Sequence, residues 1–157
     1  MLDSAPEARK ILAQHVSAGT DTKRWPSPGV GGTTAEDPMK YMLMMYFEEN
    51  TALTQEQREH CYLESAEFAQ KLHEQGKFLG AAPLQPTSTA TSLRLENGKR
   101  VVTDGPFAET REQLGGFFLI EAKDLDEAID IASRVPGGRW GTVEIRPLVE
   151  VPTLPKI

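Results

Sequence analysis

Two stretches of this chain are apolar on both faces of a period-two pattern, and the rest of the pattern can be arranged around them. From Lys40 to Phe47, Tyr41, Leu43, Met45 and Phe47 alternate with Met42, Met44 and Tyr46. From Gly116 to Ala122, Phe117 and Leu119 alternate with Phe118 and Ile120. A strand apolar on both sides is covered on both sides, so these two are predicted as the central strands of a sheet. Methionine is flexible and fills gaps, which makes the Met stripe of the first strand core material before anything else.

Between them the period changes. Thr54, with Gln57 three residues on, has capping-box spacing and predicts a helix of about six turns ending near Gln75, with Gly76 as its stop. On a helical wheel Cys61, Tyr62, Ser65, Ala66, Phe68, Ala69 and Leu72 gather on one side, opposite Glu56, His60, Glu64, Glu67, Lys71 and Glu74. The small residues of the inner side permit close approach to a sheet. A strand over 77–84 follows, ended by Pro83 and Pro86. Ala90 to Glu96 and Lys99 to Asp104 flank Asn97-Gly98, a pair that tolerates the positive φ of a type I′ turn, and so predict a β-hairpin with one wet face.

Asp104-Gly105-Pro106 makes a turn, and Ala108 to Leu114 is expected to add a turn of helix before the second central strand. Asp124 and Glu127 repeat the capping-box spacing for a second helix to about Val135, with Leu125, Ala128, Ile129, Ala132 and Val135 inward and Pro136-Gly137-Gly138 as the stop. The last strand, Thr142 to Val151, contains Pro147, which cannot donate to a ladder and so belongs at an edge or a bulge.

The order of elements is that of an α+β, ferredoxin-like β-α-β-β-α-β fold with an inserted β-hairpin. Its two apolar strands are central, the other two lie at the edges, and right-handed crossovers put both helices on one face. The opposite face is then bare yet apolar, and such a patch marks an interface. A homodimer is expected, with two sheets face to face and a pocket at or near the seam.

Residues before Met39 differ in kind. Thr20 to Pro38 is rich in Gly, Pro, Ser and Thr without an apolar period, and Pro6 to Val16 offers only a short helix carrying Ile11, Leu12 and Val16. Residues 1–38 are therefore expected to be a disordered or weakly ordered arm, or one that docks on a partner subunit; 39–152 form the domain and 153–157 a tail. The formal charge of -6, without clustered Lys and Arg, argues against direct nucleic-acid binding. The single cysteine, Cys61, excludes an intrachain disulfide, fits a cytoplasmic setting, and reads as buried and inert. The longest apolar run, Tyr41 to Phe47, is well short of the roughly 20 residues that span a bilayer. His15, His60 and His73 share no metal-ligand spacing, and no phosphate loop or dinucleotide motif occurs, so neither a metal nor a cofactor is expected.

Candidate chemistry concentrates in the Asp-Gly-Pro-Phe loop and the strand ends near it. Asp104 has the type and place of a general acid/base, with capping of the turn as its plain structural role. Pro106 and Phe107 would border a pocket. Glu112, with Glu109 and Arg111, would hold a polar substrate or simply be solvated, and Gln113 would point inward. Arg146 suits bidentate binding of a carboxylate, or a salt bridge at the surface or between subunits. Tyr46 would present its hydroxyl to the pocket or pack in the core.

Lys40-Tyr41-Met42-Leu43-Met44-Met45-Tyr46, Leu84-Gln85-Pro86 with Thr89-Ala90-Thr91, the run from Thr103 to Ala122, and Val143-Glu144-Ile145-Arg146-Pro147 resemble the YCII-related proteins of the DGPF type, over about Met39 to Val149. The resemblance implies a ferredoxin-like fold pairing as a dimeric α+β barrel. Wider YCII relatives have a proposed His-Asp pair in a cleft, and at least one branch eliminates chloride from a chlorinated muconate. Here His60 lies on the charged face of its helix, and Gln85-Pro86 stand where such relatives place an Asp, so the pair is not carried over. DGPF-type genes also often neighbour genes for sigma factors of the extracytoplasmic-function class. The leading reading is a small-molecule binder with acid/base lyase, isomerase or hydrolase-like activity through Asp104. The alternative is a non-catalytic regulatory module with a transcription-related protein partner.

Overall fold

In a computed structural model of the chain, residues 38–50 and 53–151 are described. The short helix expected over 6–16, the N-terminal arm up to residue 37 and the 153–157 tail lie outside the described residues. The elements run β1 (Met39–Phe47), α1 (Gln55–Glu74), β2 (Phe78–Pro83), β3 (Thr91–Glu96), β4 (Lys99–Asp104), β5 (Gln113–Ala122), α2 (Leu125–Ala132) and β6 (Gly141–Pro147). Short 3-10 turns occupy Thr87–Thr89 and Pro136–Trp140.

The main sheet has the antiparallel order β2-β5-β1-β6, so the two doubly apolar strands are central and the fold is α+β with ferredoxin-like topology. Pro147 ends the edge strand β6, paired with Tyr41 of β1, and an edge strand tolerates its missing N–H. Tyr41 and Leu43 of β1 lie directly across from Ile120 and Phe118 of β5. Leu72 of α1 and Ala128, Ile131 and Ala132 of α2 join the same buried cluster, which puts both helices on one face. Phe68 meets Phe118 edge-on, with ring centroids 5.5 Å apart. Burying each of the larger side chains completely is worth about 1.5–3 kcal/mol.

The helix caps follow the sequence with one displacement. Around α1 the capping box is complete: Gln57 N donates to Thr54 Oγ1 at 3.2 Å and Thr54 N donates to Gln57 Oε1 at 2.9 Å. Gly76, at φ 70°, takes the left-handed conformation that ends the helix. At α2, Asp124 accepts from Glu127 N as expected, but the Glu127 carboxylate receives Lys123 N instead of the cap's own amide. The other oxygen of Glu127 is held by Lys77 Nζ at 2.5 Å, which draws the carboxylate toward β2.

Four expectations are corrected. First, no helical turn forms over 108–114; the chain bends at 107–108 and 111–112 and enters β5 at Gln113, and Gly115 is absorbed by a register shift opposite Met45 and Tyr46. Second, α2 turns a different stripe inward. Ile131 is 1% exposed whereas Leu125 and Ile129 are 51% and 48% exposed, because Ala128, Ile131, Ala132 and Val135 form an overlapping helical stripe that reaches the sheet. Third, α1 buries only Leu72, and Tyr62 and Ala66 are exposed. The small residues that were to bring it close to the sheet leave a space instead. Fourth, the hairpin does have its type I′ turn, with Asn97 at φ 51° and Gly98 at φ 77°, but β3 and β4 form a separate two-stranded sheet. Leu93, Leu95, Val101 and Val102 are all exposed, so both faces of the hairpin are wet.

On the sheet face opposite the helices, Met42 pairs with Leu119 and Met44 with Phe117. Met44 and Leu119 are buried even there, while Met42, Leu114 and Phe117 are half-buried. Part of the shielding comes from Tyr46, whose hydroxyl lies 3.8 Å from Met44 Sδ.

Candidate functional site

A cleft of 1220 Å³ opens where this helix-free face meets the hairpin. Tyr46, Leu114, Thr142 and Glu144 form its floor on the sheet, the Pro86–Ser92 segment one wall, and the Pro106–Gln113 segment the other. Five of the six residues expected to bind substrate, Tyr46, Pro106, Phe107, Glu112 and Gln113, border it. Four of them fall within 106–113, and the antiparallel pairing of β1 with β5 brings the distant Tyr46 to them.

The wall is built from short polar links. Gln113 sits at the start of β5, and its amide Nε2 donates to Thr110 O at 2.5 Å while Oε1 accepts Glu49 N at 3.2 Å. One side chain thereby ties the loop to the turn after β1. Thr110 Oγ1 donates to Glu112 O at 2.6 Å, and Thr142 Oγ1 donates to Glu112 Oε2 at 3.1 Å. Arg111 Nε lies 3.6 Å from Glu48 Oε2 across the same loop. Phe107 is 82% exposed at the rim.

Asp104 and Arg146 are not among the residues bordering the cleft. Asp104 ends β4 opposite Thr91 and is exposed. The turn after it is held by Gly105 N donating to Ala90 O at 2.7 Å and by Ser92 Oγ donating to Gly105 O at 2.8 Å, with Gly105 at φ 97°. Arg146 is exposed and pairs along its own strand, Nε to Glu144 Oε1 at 2.5 Å. His60 is exposed and lies 3.7 Å from Glu64.

The sequence reading missed Glu49, Trp140 and Thr142. Glu49 accepts two hydrogen bonds from Thr87 and so fastens the Thr87–Thr89 turn to the end of β1. The only local sign is that a carboxylate follows directly on an apolar strand; its partner is 38 positions away. Trp140 is held by Arg139, whose guanidinium carbon lies 4.8 Å from the indole centroid and which also pairs with Glu64 of α1. The Arg139 hydrogen bond pulls the Glu64 carboxyl below its ordinary range.

Three carboxylates, Glu48, Glu112 and Glu144, face the cleft with one guanidinium, Arg111. With the hydroxyls of Tyr46, Thr142 and Ser92, this lining offers acceptors and neutral donors and an overall acidic field. Among the described residues no group of three or more His, Cys, Asp or Glu is placed to hold a metal, and no helix is long and apolar enough to cross a membrane.

Comparison with known proteins bears on the whole described domain. Residues 39–152 match the YCII-related domain family. Over 114 residues the chain is 40% identical to an uncharacterised protein of Rhizobium meliloti (strain 1021), in an alignment covering 70% of this chain and 92% of that protein.

Proposed function

The chain belongs to the YCII-related family, and on that premise we propose that it works as a cytoplasmic homodimer binding a small organic molecule in the cleft between the hairpin and the helix-free sheet face. The observation that carries this reading is the convergence of Tyr46, Glu112, Gln113 and Thr142, from three strands and a loop, on one large concavity. Clefts with an apolar lining and a few fixed polar groups are the usual form of a ligand site. The ligand is a donor-rich molecule, bearing hydroxyl or amino groups, with an aromatic or aliphatic face that lies against Phe107 and Trp140. Glu112 and Glu144 accept from its donors, and the acidic lining disfavours anions.

A second copy of the chain covers the apolar sheet face and the exposed hairpin, closing the cleft from above. Binding and orientation are the functions this lining supports. Asp104, outside the cleft lining, keeps a role only if the partner's sheet brings the ligand toward the hairpin base.

The test is a thermal-shift screen of small phenols, catechols and arylamines on the whole chain. A hit should raise the thermal midpoint of the wild type and lose its effect in both Glu112→Gln and Thr142→Val. A hit that both variants still bind, or a screen without hits at millimolar concentrations, would sink the reading.

A further inference from the structure

A second cavity, of 340 Å³, lies on the other side of the sheet, beneath the stretch of α1 that stands away from it. Its volume is within the range of small-molecule sites, and most of its wall is helix and strand. Phe47, Phe78 and Phe118 line the sheet side, and Trp140 closes one end. The helix side is the row Arg58, Cys61, Tyr62, Ser65, Ala66 and Ala69, spaced at three and four residues along one face.

The space is shaped, not left over. Gly115 lines it, and a Cβ there would come within 2.0 Å of Phe47 Cε1, so the glycine is what allows that ring its position. Gly137 lines it too, and a Cβ there would meet Met45 Sδ at 3.0 Å. An apolar hollow of this size forfeits dispersion contacts along its whole lining unless something occupies it. The Cys61 thiol is pushed up by burial, against the opposing pull of a hydrogen bond with Ser65 and of the Arg139 charge.

Arg58 is the exception to the apolar lining. It sits in the first turn of α1, where a cation opposes the helix dipole. Its Nη1 donates to Leu53 O at 2.8 Å, which holds the guanidinium at the mouth, and among the described residues it has no other hydrogen-bond partner and no ion pair. Tyr62, one turn along and half-exposed, stands on the same side. A guanidinium with open donor positions suits a carboxylate.

We propose that this cavity is a binding site for a small apolar monocarboxylate, its hydrocarbon body between Phe47, Phe78, Phe118 and the small residues of α1, its carboxylate at Arg58 and Tyr62. The site lies across the sheet from the acidic cleft, with Leu84 and Trp140 bordering both, and takes a ligand of opposite character.

The probes are 4-phenylbutyrate and its uncharged amide, titrated calorimetrically into the whole chain at fixed ionic strength. The acid should bind about tenfold or more tightly than the amide, as a charge-assisted hydrogen bond provides. Arg58→Gln should remove that preference, leaving amide binding within about twofold of wild type. Ser65→Phe, which fills the hollow, should abolish binding of both while the thermal midpoint holds or rises; Ala81→Leu, from the opposite wall, is the second filling variant should the first misfold. Phe107→Ala, in the cleft, should change neither affinity. No binding of either probe at millimolar concentration, equal affinity for acid and amide, or binding that survives filling would each overturn the proposal.

Discussion

The carboxylate of Glu49 takes both donors of Thr87, the backbone N–H at 2.8 Å and the hydroxyl at 2.7 Å, and so joins the turn after β1 to the segment that leads into the hairpin. Hydrogen bonds to a charged group contribute about 1.5–3 kcal/mol each in partly buried settings, and here two share one carboxylate. Glu49→Ala should lower stability by about 1–3 kcal/mol. It should also speed hydrogen exchange at the Thr87 amide more than at the amides of β5. Glu49→Gln retains one acceptor and should fall between the two. Unchanged exchange at Thr87 in Glu49→Ala would show that the turn is held by other contacts.

Gly141 opens β6 opposite Phe47, and a Cβ built on it would lie 1.9 Å from the carbonyl oxygen of Tyr46. That oxygen is backbone in a central strand and cannot swing aside as a side chain would. Overpacking of this kind costs about 1–3 kcal/mol, and more where the backbone itself must move. Gly141→Ala is expected at or above the upper end of that range in denaturant unfolding. Because Thr142 follows directly, the same variant should weaken any ligand that rests on the cleft floor.

Lys77 and Glu127 set a pH dependence. The Lys77 ammonium, the Lys123 amide and the surrounding positive charges hold the Glu127 carboxyl below its ordinary value, against a smaller opposing effect of burial. A carboxyl depressed in the folded state contributes stability that is complete above its unfolded value of about 4.3 and is lost as pH falls through the lower folded value. The pair is partly solvated, with side chains 31% and 21% exposed, so the contribution is about 1 kcal/mol or less. Wild type should therefore be more stable than Glu127→Gln at pH 7, and the difference should close as the pH drops below the ordinary carboxylate value. A constant difference from pH 7 to pH 2 would exclude the ion pair as its cause.

What could be read in the sequence was what a few adjacent residues decide. Tyr41 to Phe47 and Phe117 to Ile120 carry apolar side chains at every position, and only a central strand accommodates that. Thr54 with Gln57, and Asn97 with Gly98, settle a cap and a turn within four residues. The stripe that α2 turns inward was less legible, because Leu125 and Ile129 compete with Ile131 and Val135 on overlapping arcs and the sheet chooses between them. The hollow under α1 was hidden for the same reason: Ser65, Ala66 and Ala69 permit close approach but do not compel it. Tyr46, Phe107, Glu112 and Gln113 border one cleft because turn-forming and polar residues abut the two apolar strands. Glu49 was not, since its role depends on a partner brought near only by the fold.

Association through the helix-free sheet face can be tested at its centre and its margin. Met42 is half-buried between Leu119 of β5 and Arg146 of β6, and the core cluster lies on the opposite side of the sheet. A charge there leaves the core cluster intact but cannot be buried against an apolar partner without a penalty of several kcal/mol. Leu95, in the separate hairpin, is 73% exposed. Wild type at tens of micromolar should scatter light with twice the mass of the chain. Met42→Asp should scatter as a monomer with an unchanged far-ultraviolet dichroism spectrum, and Leu95→Asp should raise the dissociation constant without abolishing association. A monomeric wild type would leave the cleft open in solution, and a Met42→Asp variant that still pairs would place the interface elsewhere.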